Sequence, residues 1–337
     1  MSKFTSHIFI VISIAFTFNS CLREPAVEPD TYRGNFESLW KIIDTRYCYL
    51  DYKEIDWNTV YRKYSPQIDT VTSKYGLFDV LAEMLDELKD GHVNLYSSFD
   101  RSRYWNWFSD YPSNFDSKII FNAHYLGEKY RIAGPFRYKR IASDQVGYAY
   151  YGSFSSNFSY ANIQALFDNF KNCKGMIIDV RNNSGGMVTN AELLSSFFFK
   201  EKTLTGYISH KIADGHSDFS KPTPVYTIPH KTMNWDKPII ILTNRMSYSA
   251  TNEFICRMKY APNAKIVGDK TGGGGGFPLS SELPNGWMVR FSASPMFNAE
   301  MEHTEWGIDP DKKVDMNIAD KLAGMDTIIE EAVKEIL

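Results

Sequence analysis

Residues 238–260 read PIIILTNRMSYSATNEFICRMKY. The run from Ile239 to Leu242 is continuously apolar, the pattern of a short strand buried on both faces. A short turn follows, and then Ala250, Phe254, Ile255 and Met258 recur at helical spacing. A buried strand, a turn and a helix are the elements of a parallel sheet with helices packed across it. The same grammar repeats outward. GMIIDV (175–180) is a second buried strand between the helical stretches NIQALFDNFK (162–171) and NAELLSSFFF (190–199), and KIVG (265–268) is a third. After a glycine tract, WMVRFSASPMF (287–297) alternates as a long strand, and MDTIIEEAVKEIL (325–337) closes the chain as a helix. Residues 146–337 are therefore expected to form an α/β domain whose sheet is covered on both faces.

Upstream the periodicity changes. Phe36, Leu39, Trp40, Ile43 and Tyr47 keep helical time, as do Leu77, Val80, Leu81, Met84, Leu85 and Leu88. Trp57, Val60 and Tyr61 mark a further helix, punctuated by SPQID (65–69). A small helical N-terminal domain over 31–92 follows from these stripes. Residues 93–145 carry short Tyr-, Phe- and Ile-rich runs such as KIIFNAHYL (118–126) and KYRIAG (129–134), and read as a strand-rich connection.

With 337 residues, 43% hydrophobic and 15% aromatic, the chain can bury a substantial core. Its 37 basic and 40 acidic residues leave a formal charge of −3, so there is no electrostatic footprint for nucleic acid. The first residues, MSKFTSHIFIVISIAFTFNSC, place Lys3 ahead of an apolar stretch from Ile8 to Phe18. That stretch is about half of the ~20 residues needed to cross a bilayer, so 1–20 reads as a secretory signal. FNSC (18–21) resembles the lipobox of bacterial lipoproteins, which implies lipidation at Cys21, a polar linker over 21–30 and an exported, membrane-anchored protein of the bacterial cell envelope. A plain secretory signal with a chance cysteine is the alternative. Cys48, Cys173 and Cys256 have no metal-type spacing and read as buried apolar groups.

Three junctions could carry chemistry. Ser249 stands where the helix begins, beside unpaired backbone N–H groups that could meet an oxyanion, the Ala250 N–H first among them. Taken alone, Ser249 reads as an N-cap. Gly185 and Gly186 follow the buried strand IIDV, where backbone can approach a ligand closely and donate to an oxyanion, or simply turn. A serine needs a base. Among seven histidines His92, in LKDGHVNLY, is the leading candidate because a helix-ending turn and a following strand would hold it rigidly, although a lone turn histidine is more often structural.

Taken together, these segments resemble the S41 family of serine peptidases, which includes the C-terminal processing proteases and the core of tricorn protease. LDELKDGHV (85–93), GMIIDVRNNSGG (175–186), SYSATNEF (247–254), GDKTGGGGG (268–276), LPNG (283–286) and EWGIDPD (305–311) match its motifs in order, over roughly residues 36–311. The resemblance implies a ClpP/crotonase-like peptidase domain, Ser249 rather than Ser247 as nucleophile, and a peptide or protein substrate with no metal or organic cofactor. The tail-specific branch places a lysine after the threonine of the glycine segment. Here Thr271 is followed by Gly272, Gly273 and Gly274, and Lys270 lies too early, as a solvated side chain. The tricorn-like branch implies His92 as base with Glu305 orienting it. The glycine tract, Gly272 and Gly273 included, lacks the order of a phosphate-binding loop and reads as a flexible loop beside the substrate or a plain solvent loop. Two departures stand out: Gly91 replaces a serine that this branch places before its histidine, and the roughly fifty residues between His92 and Gly147 cannot hold the PDZ domain of the tail-specific proteases. A non-catalytic peptide- or lipid-binding lipoprotein on the same scaffold is the competing reading. Acyl-CoA chemistry is a weaker third, because an exported protein seldom meets CoA. Oligomeric state is not encoded in these features.

Overall fold

The computed structural model describes residues 28–337. The expected signal at 1–20, Cys21 and all but the last residues of the 21–30 linker lie outside the described residues.

Three helices come first, α1 (Tyr32–Arg46), α2 (Trp57–Ile68) and α3 (Lys74–Asp86). Each starts at a polar side chain that accepts a first-turn N–H: Thr31 from Gly34, Asp56 from Thr59 and Ser73 from Gly76. Helix α2 runs through Pro66 and ends at Ile68, so SPQID does not break it where the sequence suggested. Pro66 lies in the last turn, where its missing N–H costs only one ladder bond.

The next segment is poorer in strand than expected. It holds β1 (Asn94–Tyr96), the one-turn helices α4 (Asn106–Ser109) and α5 (Ser117–Ile120), and the hairpin β2 (Arg131–Ala133) with β3 (Phe136–Ile141). KIIFNAHYL is not a strand: Asp116 caps the Lys118 N–H and starts a helical turn that buries Ile119 and Ile120. No further domain lies between His92 and Gly147.

Then come β4 (Val146–Tyr150), α6 (Tyr160–Phe170), β5 (Gly175–Asp179), α7 (Val188–Ser196), β6 (Thr203–Ile208), β7 (Thr223–Thr227), β8 (Ile239–Thr243), α8 (Ala250–Met258), β9 (Ala264–Gly268), β10 (Gly276–Glu282), β11 (Met288–Phe297), β12 (Lys312–Lys313), α9 (Ile318–Leu322) and α10 (Thr327–Ile336). Seven strands form the main sheet in the order β12-β9-β8-β5-β4-β3-β2, parallel from β12 to β4 and antiparallel beyond. Successive residues of one strand face opposite layers. Met176, Ile178, Ile239 and Ile241 pack on α6, α7 and α8, while Ile177, Ile240 and Leu242 pack on α10 and α5. This double cover is why these strands read as unbroken apolar runs.

The second sheet pairs β11 with β1 and β10 along most of its length and with β6 at its end, and β7 extends β6. Its Leu95, Val289, Phe291 and Ala293 share one core with Phe36, Leu39, Ile43, Leu81 and Leu85 of the N-terminal helices. The helical unit is thus packed onto the peptide that carries β11, and the Asp90–His92 turn lies between them.

Candidate active site

β5 and β8 are adjacent and parallel, so the turns that leave their carboxyl ends meet at one edge of the sheet, the usual place for a site in such folds. Asn183 fastens these turns together. Its Oδ1 accepts from Thr251 Oγ1 at 2.8 Å and from the Gly185 N–H at 3.1 Å, and its Nδ2 donates to the Tyr151 carbonyl at 2.9 Å. The first turn is also anchored from below, where Arg181 is fully buried between Asp179 (2.6 Å) and Asp326 (2.9 Å).

The two serines separate cleanly. Ser247 is buried, donates to the Val180 carbonyl at 2.9 Å and accepts from the Asn244 N–H at 3.1 Å, so it holds the turn. Ser249 does not cap α8. Its backbone sits at φ 58°, ψ −120° and its side chain makes no capping bond. That region suits the first central residue of a type II′ turn, normally glycine, and costs a side-chain-bearing residue of order 1–3 kcal/mol. Instead, Ser249 Oγ lies 2.9 Å from His92 Nε2. Another serine–histidine contact exists, His210 Nδ1 to Ser294 Oγ at 3.0 Å, but Ser294 sits within β11 with neither a positive φ nor a helix start beside it.

His92 is 3% exposed. Its backbone N–H donates to Asp90 Oδ1 at 2.8 Å, and Asp90 Oδ2 accepts from Tyr47 Oη at 3.0 Å and Ser292 Oγ at 2.9 Å. Burial pushes the imidazole down to about 4; Arg290 and Lys53 add to the effect and Asp90 opposes it. The ring is therefore neutral at pH 7, the form that accepts a proton.

Glu305 differs from expectation. It makes no hydrogen bond to His92, whose ring has the Gly276 backbone beside it and whose Nδ1 makes no well-aligned hydrogen bond among the described residues. Glu305 Oε1 instead accepts from Lys53 Nζ at 2.7 Å, and Oε2 accepts from the Gly275 N–H at 3.0 Å. Lys53, on the turn after α1, also lies 3.8 Å from Asp90, and all three side chains are at most 3% exposed. One ammonium cannot neutralise two carboxylates. Asp90, with its hydrogen bonds, is held below the usual range despite burial, whereas burial and the Asp90 charge push Glu305 up to about 7. Lys53 carries no motif, and nothing in the sequence placed it here.

The glycine tract is not a flexible loop. Gly272 to Gly276 are buried. The Gly272 N–H donates to the Ser247 carbonyl, the Gly273 carbonyl accepts from the Ser249 N–H at 2.9 Å, and the Gly274 N–H donates to the Glu305 carbonyl. A Cβ at Gly273 would stand 1.8 Å from the Glu305 carbonyl oxygen. These glycines admit three backbones to one place, and Gly272 and Gly273 line the back of the site rather than the cavity before Ser249. Lys270 pairs with Asp309 at 3.4 Å and is also absent from that cavity. Gly91 has a local cause too: a Cβ there would sit 2.5 Å from Trp107 Nε1, and Trp107 stacks on Tyr248 at 4.1 Å between ring centroids.

Two backbone donors at the site are free. The Ala250 N–H and the Gly186 N–H make no hydrogen bond to another group among the described residues, whereas the Gly185 N–H is taken by Asn183. Gly185, at φ 100°, comes so close that a Cβ on it would lie 2.8 Å from Ser249 Cβ and 2.9 Å from the Ala250 nitrogen. A cavity of about 500 Å³ opens in front, lined by His92, Ser249, Gly185 and Gly186 among others.

A family model for peptidase family S41 matches residues 145–314, just over half of the chain, and one for the tricorn protease C1 domain matches residues 28–86. The chain belongs to peptidase family S41. The crystal structure of a candidate peptidase from Parabacteroides merdae is 50% identical and superposes with a TM-score of 0.88, covering 91% of this chain and 97% of that one. Mature CPAF in complex with lactacystin shares the fold at 13% identity, TM-score 0.68, covering 90% of this chain and 97% of its own. Carboxy-terminal processing protease CtpA of Bacillus subtilis is 25% identical over 158 residues, 46% of this chain and 32% of its own. The chloroplastic C-terminal processing peptidase of Tetradesmus obliquus is 25% identical over 179 residues, 52% and 37% respectively. The chain spans about a third of the length of such curated relatives. The mixed α/β peptidase domain with a small helical N-terminal region, expected from the S41 motifs, is the fold observed.

Proposed function

We propose that this S41 chain is a serine endopeptidase that cleaves peptides or unfolded protein segments through an acyl-enzyme on Ser249. The observation that carries the reading is the 2.9 Å contact between His92 Nε2 and the Oγ of a serine held off its capping role by a strained backbone. Ser249 Oγ attacks the scissile carbonyl carbon while its proton passes to His92 Nε2. The oxyanion is met by the Ala250 and Gly186 N–H groups. Collapse expels the amine, which takes the proton from His92, and a water then repeats the sequence to free the acid and restore the serine. Asp90, not Glu305, is the carboxylate that favours the transient imidazolium. Glu305 acts on the site by holding Gly275 and Lys53.

A serine-directed fluorophosphonate tests this. Labelling should be abolished by Ser249→Ala and greatly reduced by His92→Ala; equal labelling of wild type and Ser249→Ala would reject the assignment. The pH profile adds a sharper check. The base works only when neutral, so the acid limb follows the folded His92 value of about 4 rather than the ordinary ~6.5. Labelling should hold level from pH 8 to about 6 and fall below about 5; a limb at 6.5–7 would mean that a more exposed imidazole or the Glu305 titration controls the rate.

Gly185→Ala probes the donor geometry. The added methyl would press on Ser249 Cβ and the Ala250 nitrogen at a φ that L-residues avoid. The expected loss is about 10²–10³ in kcat, the size of one oxyanion donor, read against a peptide substrate. Activity within a few-fold of wild type would exclude these amides as the oxyanion site.

We also propose, on the N-terminal sequence, that the protein is exported and lipid-anchored at Cys21 in the bacterial envelope. Metabolic labelling with a palmitate analogue should be lost in Cys21→Ala; labelling that survives the substitution rejects that anchor.

A further inference from the structure

Three arginines share the cavity with Ser249 and His92: Arg101 and Arg103, in the loop after β1, and Arg290 of β11. No aspartate or glutamate lines that cavity, and none of the three makes an ion pair among the described residues. Arg33, Arg62, Arg140, Arg181 and Arg257 have acidic partners, whereas Arg101, Arg103 and Arg290 share one concave site whose lining offers none. Two of the guanidiniums are aimed by aromatic faces, Arg101 over Tyr96 at 5.7 Å and Arg103 over Trp105 at 5.3 Å. Arg290 is half-buried, on the strand paired to β1 at Asn94. Its charge reaches the reacting groups, for it helps depress His92. Isolated surface arginines are ordinarily solvated, but three lining one concave site with no acidic side chain beside them make a positive field that an anionic ligand group would complement.

We infer that the cleft selects peptides bearing a carboxylate near the scissile bond, held by Arg101, Arg103 and Arg290. The inference rests on the reading of Ser249 as nucleophile. The planar guanidinium takes a carboxylate through two parallel N–H bonds, so the selection acts on charge and geometry together. The carboxylate can come from a Glu or Asp side chain or from a free C-terminus, and both present the same group.

The test is a matched peptide series on the full chain: Glu against Gln at each position flanking the cleaved bond, and a free acid against an amide at the C-terminus. Glu peptides should exceed their Gln counterparts by about tenfold in kcat/KM at low salt, and the gap should narrow at 300 mM salt as exposed charges are screened. If the ratio follows the C-terminal acid instead, the chain terminus is the source. R101Q, R103Q and R290Q should each lower the acid-to-neutral ratio, and together bring it near one, with melting curves reporting that the variants fold. Anisotropy of the same labelled peptides on Ser249→Ala protein keeps the question separate from catalysis: tighter binding of the acidic peptides is expected even if turnover is slow. Cleavage and binding indifferent to both carboxylates would overturn the inference and leave the serine mechanism standing. Absence of both peptide cleavage and Ser249 labelling would overturn the mechanism, while the binding arm still decides the carboxylate preference.

Discussion

Ser249→Gly should destroy peptide-bond hydrolysis and at the same time make the protein more stable. The backbone at this position, φ 58° and ψ −120°, is comfortable for glycine and strained for any residue with a Cβ, at about 1–3 kcal/mol. Glycine recovers that strain but loses roughly 0.5–1 kcal/mol to the extra freedom of the unfolded chain, so a net gain of about 1 kcal/mol is expected. Ser249→Ala keeps the strain and removes the hydroxyl, whose one side-chain bond is to His92 Nε2, so it should be no more stable than wild type and up to about 1 kcal/mol less so. Both variants should lose on the order of 10⁵–10⁶ in kcat, the scale seen when a nucleophile of a serine–histidine unit is removed. Urea unfolding of the three proteins beside a peptide-cleavage assay decides it. Glycine and alanine variants of equal stability would show that the turn is not strained, and turnover by either within about a hundredfold of wild type would remove Ser249 from the chemistry.

Lys53→Met should give the largest loss of stability of any single change near the site. The Lys53 ammonium is the counter-charge within reach of both Glu305 and Asp90, at 2.7 and 3.8 Å, and its side chain is 2% exposed. Removing one partner of a buried pair leaves an uncompensated charge, at a cost of about 3–5 kcal/mol. The sign of the pH dependence follows from Glu305. Its carboxyl is already pushed up to about 7 in the folded protein, above its ordinary 4.5, so the folded state binds the extra proton. A group raised in this way favours folding below its unfolded value and loses that contribution as pH rises through the folded one. Without Lys53 the carboxyl rises further, so the deficit should be larger at pH 8 than at pH 5.5. Adding Glu305→Gln to Lys53→Met should return part of the loss, because the amide oxygen can still accept from the Gly275 N–H without carrying charge. Chemical denaturation at the two pH values reads both effects. A deficit that does not change with pH would mean that Glu305 stays ionised, and failure of the double variant to recover would place the cost in packing.

The same cluster shows where sequence reasoning stops. His92 and Ser249 were legible as a pair because each sits in a junction motif, LKDGHV and SYSATNEF, that matches the family in order, whereas either one alone reads as a structural residue. Glu305 lies in a recognisable motif, yet its bonds go to Lys53 and the Gly275 N–H rather than to His92. It faces Lys53, 252 positions away, and the pairing of buried charges is set by what packs beside them, not by spacing. The glycine tract was misread for a related reason. Five glycines in a row suggest freedom, and here they are the condition for Ser249, Glu305 and Ser247 to hydrogen-bond across one narrow gap. KIIFNAHYL failed differently, because a single capping aspartate outweighed its strand propensity.

Apolar periodicity by itself determined the α/β class, the buried strands at 175–180, 239–243 and 265–268, the helical N-terminal unit and the strand-to-helix junction where Ser249 stands, since each depends on neighbours within one or two turns of chain. Only the tertiary structure decided which carboxylate lies beside the His92 backbone and which beside Lys53, why residue 91 has no side chain, which backbone amides remain free at the site and that three arginines without an acidic partner share the cleft. Those are relations through space between segments far apart in sequence, and in a low-dielectric interior a few ångströms decide whether two groups interact at all.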